Sequence, residues 1–147
     1  MLLNLSKAVK VSRVKNAVAA GTTDVTSSTL DMTGFDGVMF IALLGDVLTT
    51  CVLSLQAQEG ADSGGSDAAL ATGGPKTADF TADATSADNK VLLVDYYRPQ
   101  KQYVTAVLKR GTANAPVDGI IAIQYNARTK PTTQAAEVIA AALAAGV

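Results

Sequence analysis

Alternation with a period of two runs through the middle and the end of the chain. Cys51, Leu53, Leu55 and Ala57 alternate with Val52, Ser54, Gln56 and Gln58. Val104, Ala106 and Leu108 alternate with Tyr103, Thr105, Val107 and Lys109, and Ile121, Ile123 and Tyr125 with Ala122, Gln124 and Asn126. Successive side chains of a strand point to opposite faces, so these runs predict strands with one face in a core. Two short runs, residues 38–44 and 91–94, are apolar throughout. Their length and their Val, Ile and Phe content predict central strands. Residues 9–20 read as an early strand and residues 76–81 as a short, weak one.

Turn residues separate the runs. Gly34-Phe35-Asp36-Gly37 precedes one strand and Asp118-Gly119 another, and Asp-Gly suits the positive backbone angles of tight turns. Gly45-Asp46 ends a strand, and Pro99 breaks the chain between Tyr97 and Gln102, because proline has no N–H for a central ladder. Seven or eight strands at this spacing, with few helix signals, predict an all-β sandwich or barrel. Residues 60–88 differ: they are rich in Ala, Asp, Ser, Thr and Gly, with Leu70 and Phe80 as the large apolar residues. This reads as a long loop, either a binding loop or a spacer strapped to the sheets.

The ends read as an arm and a tail around a core of residues 9–130. Met1, Leu2, Leu3 and Leu5 of the arm, residues 1–8, need a groove on their own domain or on a neighbour. The tail, residues 131–147, is alanine-rich with high helix propensity. An isolated helix of about fourteen residues is marginal in water, so the tail either frays or docks.

Composition narrows the chemistry. The chain has 147 residues, which suits one domain able to hide roughly 70% of its unfolded surface. Twelve basic and thirteen acidic residues nearly cancel, so no whole-protein field points to nucleic acid or membrane. The charges are nonetheless segregated: the first twenty residues are basic, residues 59–89 acidic, and residues 90–130 basic again. There is no histidine, which removes the imidazole base of Ser-His-Asp and Cys-His systems and the His ligands of most metal centres. The single Cys51 lies in an apolar stretch and reads as a core residue. No apolar run approaches the roughly 20 residues of a membrane span, and the N-terminal run before Lys7 is too short for a signal peptide. A soluble protein made in a cytoplasm is expected.

Few motifs carry chemistry. Residues 62–67, DSGGSD, lack the spacing of a calcium loop, and Gly64-Gly65 and Gly73-Gly74 lack the context of a phosphate cradle. The acids lie mostly in polar loops, away from the desolvated cleft that glycosidase carboxylates need. Tyr96, Tyr97, Arg98 and Tyr103 form the one aromatic-basic cluster, suited to stacking on a base or sugar or to filling a sheet face. No catalytic residue, metal or cofactor is expected.

Several segments together resemble a known family. They are Leu30-Asp31-Met32-Thr33-Gly34-Phe35-Asp36-Gly37-Val38, Asp95-Tyr96-Tyr97-Arg98-Pro99 with Tyr103–Val107, Arg110–Asn114, Asp118–Tyr125 and Ala127-Arg128. In this order they resemble the small capsid cement, or decoration, proteins of tailed bacteriophages, over about residues 9–130. The resemblance implies an antiparallel jelly-roll sandwich, to which the sequence adds the extended N-terminal arm and the alanine-rich C-terminal tail; the acidic middle loop and the tail match none of the family's motifs. It implies a non-enzymatic virion protein on the capsid surface, made in the host bacterial cytoplasm. Its implied partners are the major capsid protein and itself, as a homodimer or homotrimer, with no direct nucleic-acid or membrane contact. The interface candidates are Met1, Leu2, Leu3, Leu5, Tyr96, Tyr97 and Arg98. The competing readings are another virion role (head-to-tail connector, head fibre base or tail component) and a carbohydrate or host-surface binding module.

Overall fold

The computed structural model describes residues 4–144. A single helical turn, α1 (Leu5–Ala8), leads into β1 (Lys10–Lys15), β2 (Val18–Gly21), β3 (Val25–Thr26), β4 (Leu30–Asp31), β5 (Gly37–Leu44) and β6 (Val52–Gly60). Then come β7 (Phe80–Thr81), β8 (Val91–Tyr97), β9 (Tyr103–Gly111) and β10 (Ala115–Tyr125). They form two antiparallel sheets, a β-sandwich. The first is ordered β1-β10-β5-β8, with β2 also on β10; the second is ordered β3-β9-β6-β7, with β4 also on β9.

The alternation builds the core. Val38, Phe40 and Ala42 of β5 and Ile120 and Ala122 of β10 face Leu53, Leu55 and Ala57 of β6 and Val104, Ala106 and Leu108 of β9, all with no exposed surface. Burying each larger side chain here contributes about 1.5–3 kcal/mol. Cys51 is buried in the same cluster, as its apolar context predicts.

Polar side chains close both ends of this interior. At one end buried Arg110 of β9 donates from Nε to Thr23 O (2.7 Å) and from Nη1 to Ala19 O (2.9 Å) and Ala115 O. At the other end buried Glu59 of β6 reaches Tyr96 of β8. Each residue sits on the second sheet and bonds across the layer gap, so each fixes the two sheets relative to one another.

Several expectations change. β8 is an edge strand rather than a central one, and its continuous apolar run has Val91 52% and Leu93 47% exposed. The early strand divides into β1 and β2, with a register shift between Arg13 and Lys15 that lets both follow β10. The weak strand shrinks to Phe80–Thr81 plus a bridge between Lys76 and Gln56.

Residues 60–88 are a strap. Glu59 and Ala69 exchange both backbone hydrogen bonds (3.0 and 3.1 Å), Ala57 N–H donates to Pro75 O and Thr77 N–H to Leu55 O. The loop thus occupies the free edge of β6 with few apolar contacts of its own. The described part of the tail, residues 131–144, docks on its own domain without forming a helix. Gln134 accepts from Val11 N–H (2.8 Å) and donates to Ser6 O and Val9 O, while Thr132 bonds Lys7 O and Val9 O. A polar side chain bonding the β1 edge replaces helix formation, which short alanine-rich segments sustain poorly. Of the N-terminal arm, residues 5–8 form the α1 turn, and Ser6 and Lys7 are fastened there too by the bonds from Gln134 and Thr132.

Candidate functional site

One end of the first sheet gathers most of the segments singled out in the sequence. Tyr97 of β8 and Tyr125 of β10 both pair with Gly37 of β5, one from each side. Gly37 has no side chain, and a Cβ built there would overlap the Tyr125 ring. Adjacent strands lie about 4.8 Å apart, so the two tyrosines lean toward one another over the glycine. Their rings are nearly parallel, 8° apart, with centroids separated by 6.5 Å. Tyr125 OH donates to Asp95 Oδ1 (2.5 Å), which fixes the ring, and Arg98 lies over Tyr97 with Cζ 5.1 Å from the ring centroid. Burial, and then this carboxylate contact, raise the Tyr125 hydroxyl pKa well above its ordinary value.

Arg98 is placed by backbone. Its φ is +54°, in the left-handed region, and its N–H donates to Asp36 O (2.7 Å). Arg128 N–H donates to Gly34 O (2.9 Å), and its guanidinium lies 3.5 Å from Asp36 Oδ1. Arg98, Lys101, Arg128 and Asp36 line an open groove of about 540 Å³ beside the tyrosines. Its rim carries more positive than negative groups.

The sequence candidates separate here. Tyr97, 51% exposed, and Arg98 belong to the surface. Tyr96 faces inward, and its OH donates to Glu59 Oε2 (2.9 Å), which also accepts from Gln100 N–H (2.7 Å) and Lys101 N–H (3.2 Å). Burial, followed by that hydrogen bond, pushes the Tyr96 hydroxyl up to about 12. Half-buried Tyr96 is a strut between the sheets. Leu5 is 70% exposed on α1, just before the start of β1, whose Lys10 pairs with Gln124 next to Tyr125, while Met1, Leu2 and Leu3 lie outside the described residues. Tyr103 is drawn into a separate network, its OH accepting from Gln102 Nε2 (3.3 Å).

Sequence reasoning missed the rest of the surface. The outward side of the first sheet is apolar well beyond Tyr97 and Tyr125. Ile41 stands between Leu93 and Ile121, Met39 between Asp95 and Ile123, and Leu43 beside Val91. Half-buried Val11 extends the row from Ile123. Strand spacings put this field at about 300–400 Å². A contiguous apolar patch of that size on a monomer is often functional. A signal existed: residues 38–44 and 91–94 are apolar at every position, which requires cover on both faces. Only the inward cover is present among the described residues, apart from Glu137 and Val138 of the tail near Val11 and Ile121.

The acidic loop is self-satisfied. Asp67 accepts from Ala61 N–H (2.8 Å) and Asp62 N–H (3.0 Å), and Asp62 accepts from Ser66 N–H and Oγ. These donors hold both carboxyls below their ordinary range. Among the described residues no group of three or more His, Cys, Asp or Glu side chains is placed to hold a metal ion. The arrangement offers a stiff apolar face with a tyrosine-arginine corner, which suits association. In comparisons with known proteins, no family model and no curated protein matches this chain.

Proposed function

We propose that this protein binds the outer surface of an assembled phage capsid and stabilises it, as a cement or decoration protein acting without covalent chemistry. The observation that carries a binding role is the outward apolar face of the first sheet with its Tyr97–Tyr125–Arg98 corner. Tyr and Arg are the residues most enriched where interfaces concentrate their energy. The capsid as partner rests on the resemblance of residues 30–38, 95–99, 103–107, 110–114, 118–125 and 127–128 to decoration proteins. Four of those segments, 30–38, 95–99, 118–125 and 127–128, meet at that corner and its groove. The strand orders β1-β10-β5-β8 and β3-β9-β6-β7 support a jelly-roll reading, with β1 and β2 as one interrupted strand and β3 and β4 as another.

Such a role follows from mass action. A protein that binds the assembled shell and not free coat subunits stabilises the shell in proportion to occupancy and affinity. The partners are then the major capsid protein and further copies of this chain, in the virion. Quantitative mass spectrometry of purified particles tests the proposal. A copy number near that of the major coat protein supports decoration. A few per cent of it moves the protein to a connector, fibre or tail role, and absence from particles overturns a virion role.

A further inference from the structure

The sandwich has several strand edges, and most are closed. β3, β4 and β7 are two-residue strands, too short to template a partner. The β6 edge is covered by the strap, and the start of the β1 edge, at Val9 and Val11, by Thr132 and Gln134. β8 is different: seven residues long, apolar and paired on one side alone among the described residues. Natural proteins cover, shorten or charge such edges, because an open one recruits another strand.

The direction of the open groups follows from the pairing. Leu44 N–H donates to Lys90 O, and Arg98 N–H donates to Asp36 O. Even-numbered positions therefore turn their backbone groups toward β5. The N–H and C=O of Val91, Leu93, Asp95 and Tyr97 point away from it, into the open edge.

We infer that β8 pairs antiparallel with β8 of a second copy across a two-fold axis at Leu93, joining the two first sheets into one. The inference deepens the capsid-binding reading and rests on it for the use of the dimer, not for its existence. Two observations select a second copy. The tail occupies the start of the β1 edge, which hinders head-to-tail sheet extension and favours the isologous β8–β8 contact, which closes at two. Charge also favours it: Asp46, Asp83 and Asp88 lie near the start of β8 against Lys90, whereas at its end Arg98, Lys101 and Arg128 balance Asp36, Asp95 and buried Glu59. Antiparallel pairing sets the acidic start against the balanced end that carries Arg98, and keeps the two acidic starts apart.

The same charges narrow the register, and Leu93 is the centre that also brings opposite charges together. A two-fold antiparallel pair must centre on a residue facing its own copy. Centring on Asp95 would oppose two carboxylates, and centring on Val94 would oppose Lys90 and Arg98. Leu93 at the centre meets Leu93 and brings Arg98 toward Asp88 of the second copy.

Sedimentation velocity on the full chain tests this. The wild-type protein should run as a dimer of about twice its 15.0 kDa chain mass. Leu93→Pro removes only an outward N–H, and Leu93→Lys places a charge on the axis; both should sediment as monomers. Should Leu93→Pro fail to fold by circular dichroism, Leu93→Lys carries the result. Leu93→Cys should form an intermolecular disulfide on oxidation, while Tyr97→Cys should not. A wild-type monomer, a trimer, or a dimer that survives Leu93→Lys overturns the inference. Particle binding measured on the same variants separates the two claims: a dimer that ignores particles overturns capsid binding alone.

Discussion

Replacing Tyr96 with Phe separates strut from surface. Tyr96 OH is one of three donors to Glu59 Oε2, at 2.9 Å. A hydrogen bond to a charged partner contributes about 1.5–3 kcal/mol. Tyr96 is only partly buried, and Glu59 keeps two backbone donors, so the lower end, about 1.5 kcal/mol, applies. For a chain of this size that lowers Tm by roughly 3–6 °C. The pH dependence carries a second signature. The hydroxyl is raised to about 12 in the folded protein against 10.0 for the free group. Its contribution is therefore complete below pH 10 and lost as pH rises through 12. Thermal melts followed by circular dichroism from pH 7 to 12 should show the wild type losing stability above pH 10, with a shallower loss in Tyr96→Phe. Particle binding at pH 7 should be unchanged, whereas Tyr97→Ala should weaken binding with Tm nearly constant. A Tyr96→Phe variant with wild-type Tm, or one that folds normally yet loses binding, refutes the strut assignment.

Gly37→Ala should force the Tyr125 ring off its seat, since the added methyl overlaps it. The lost stack and Asp95 contact lie at the surface, so the cost should be about 0.5–1.5 kcal/mol, while the near-ultraviolet tyrosine signal changes and particle affinity falls; an unchanged spectrum contradicts this account. Arg110→Met should lower unfolding free energy by about 2–4 kcal/mol in urea titrations, because Thr23, Ala19 and Ala115 carbonyls lose their donor; a loss below 1 kcal/mol would show that water replaces it.

The sandwich itself was legible in the chain. Period-two alternation at residues 51–58 and 103–109 depends only on the pleat, so it reports a buried face wherever the strand lies in the fold; at residues 121–126 the apolar positions face outward instead, and Ala122 and Gln124 are the buried ones. The turn at Gly34, with φ +85°, was legible for the same local reason, whereas Asp118-Gly119, which reads as a turn in the sequence, lies inside β10 at a register shift. What lies outward of a strand is not local. Residues 38–44 and 91–94 read alike, yet β5 is central and β8 an edge, a difference set by which strands the chain brings alongside. Tyr96 and Tyr97 are neighbours in sequence with opposite fates, because alternation sends one to Glu59 on the other sheet and the other to the surface. Composition alone marked residues 60–88 as a loop, and only tertiary pairing made it the cover of β6. Tyr125 entered the candidate surface only through Gly37, a contact between residues almost ninety positions apart in sequence, and long-range pairing of that kind leaves no periodic trace in either segment.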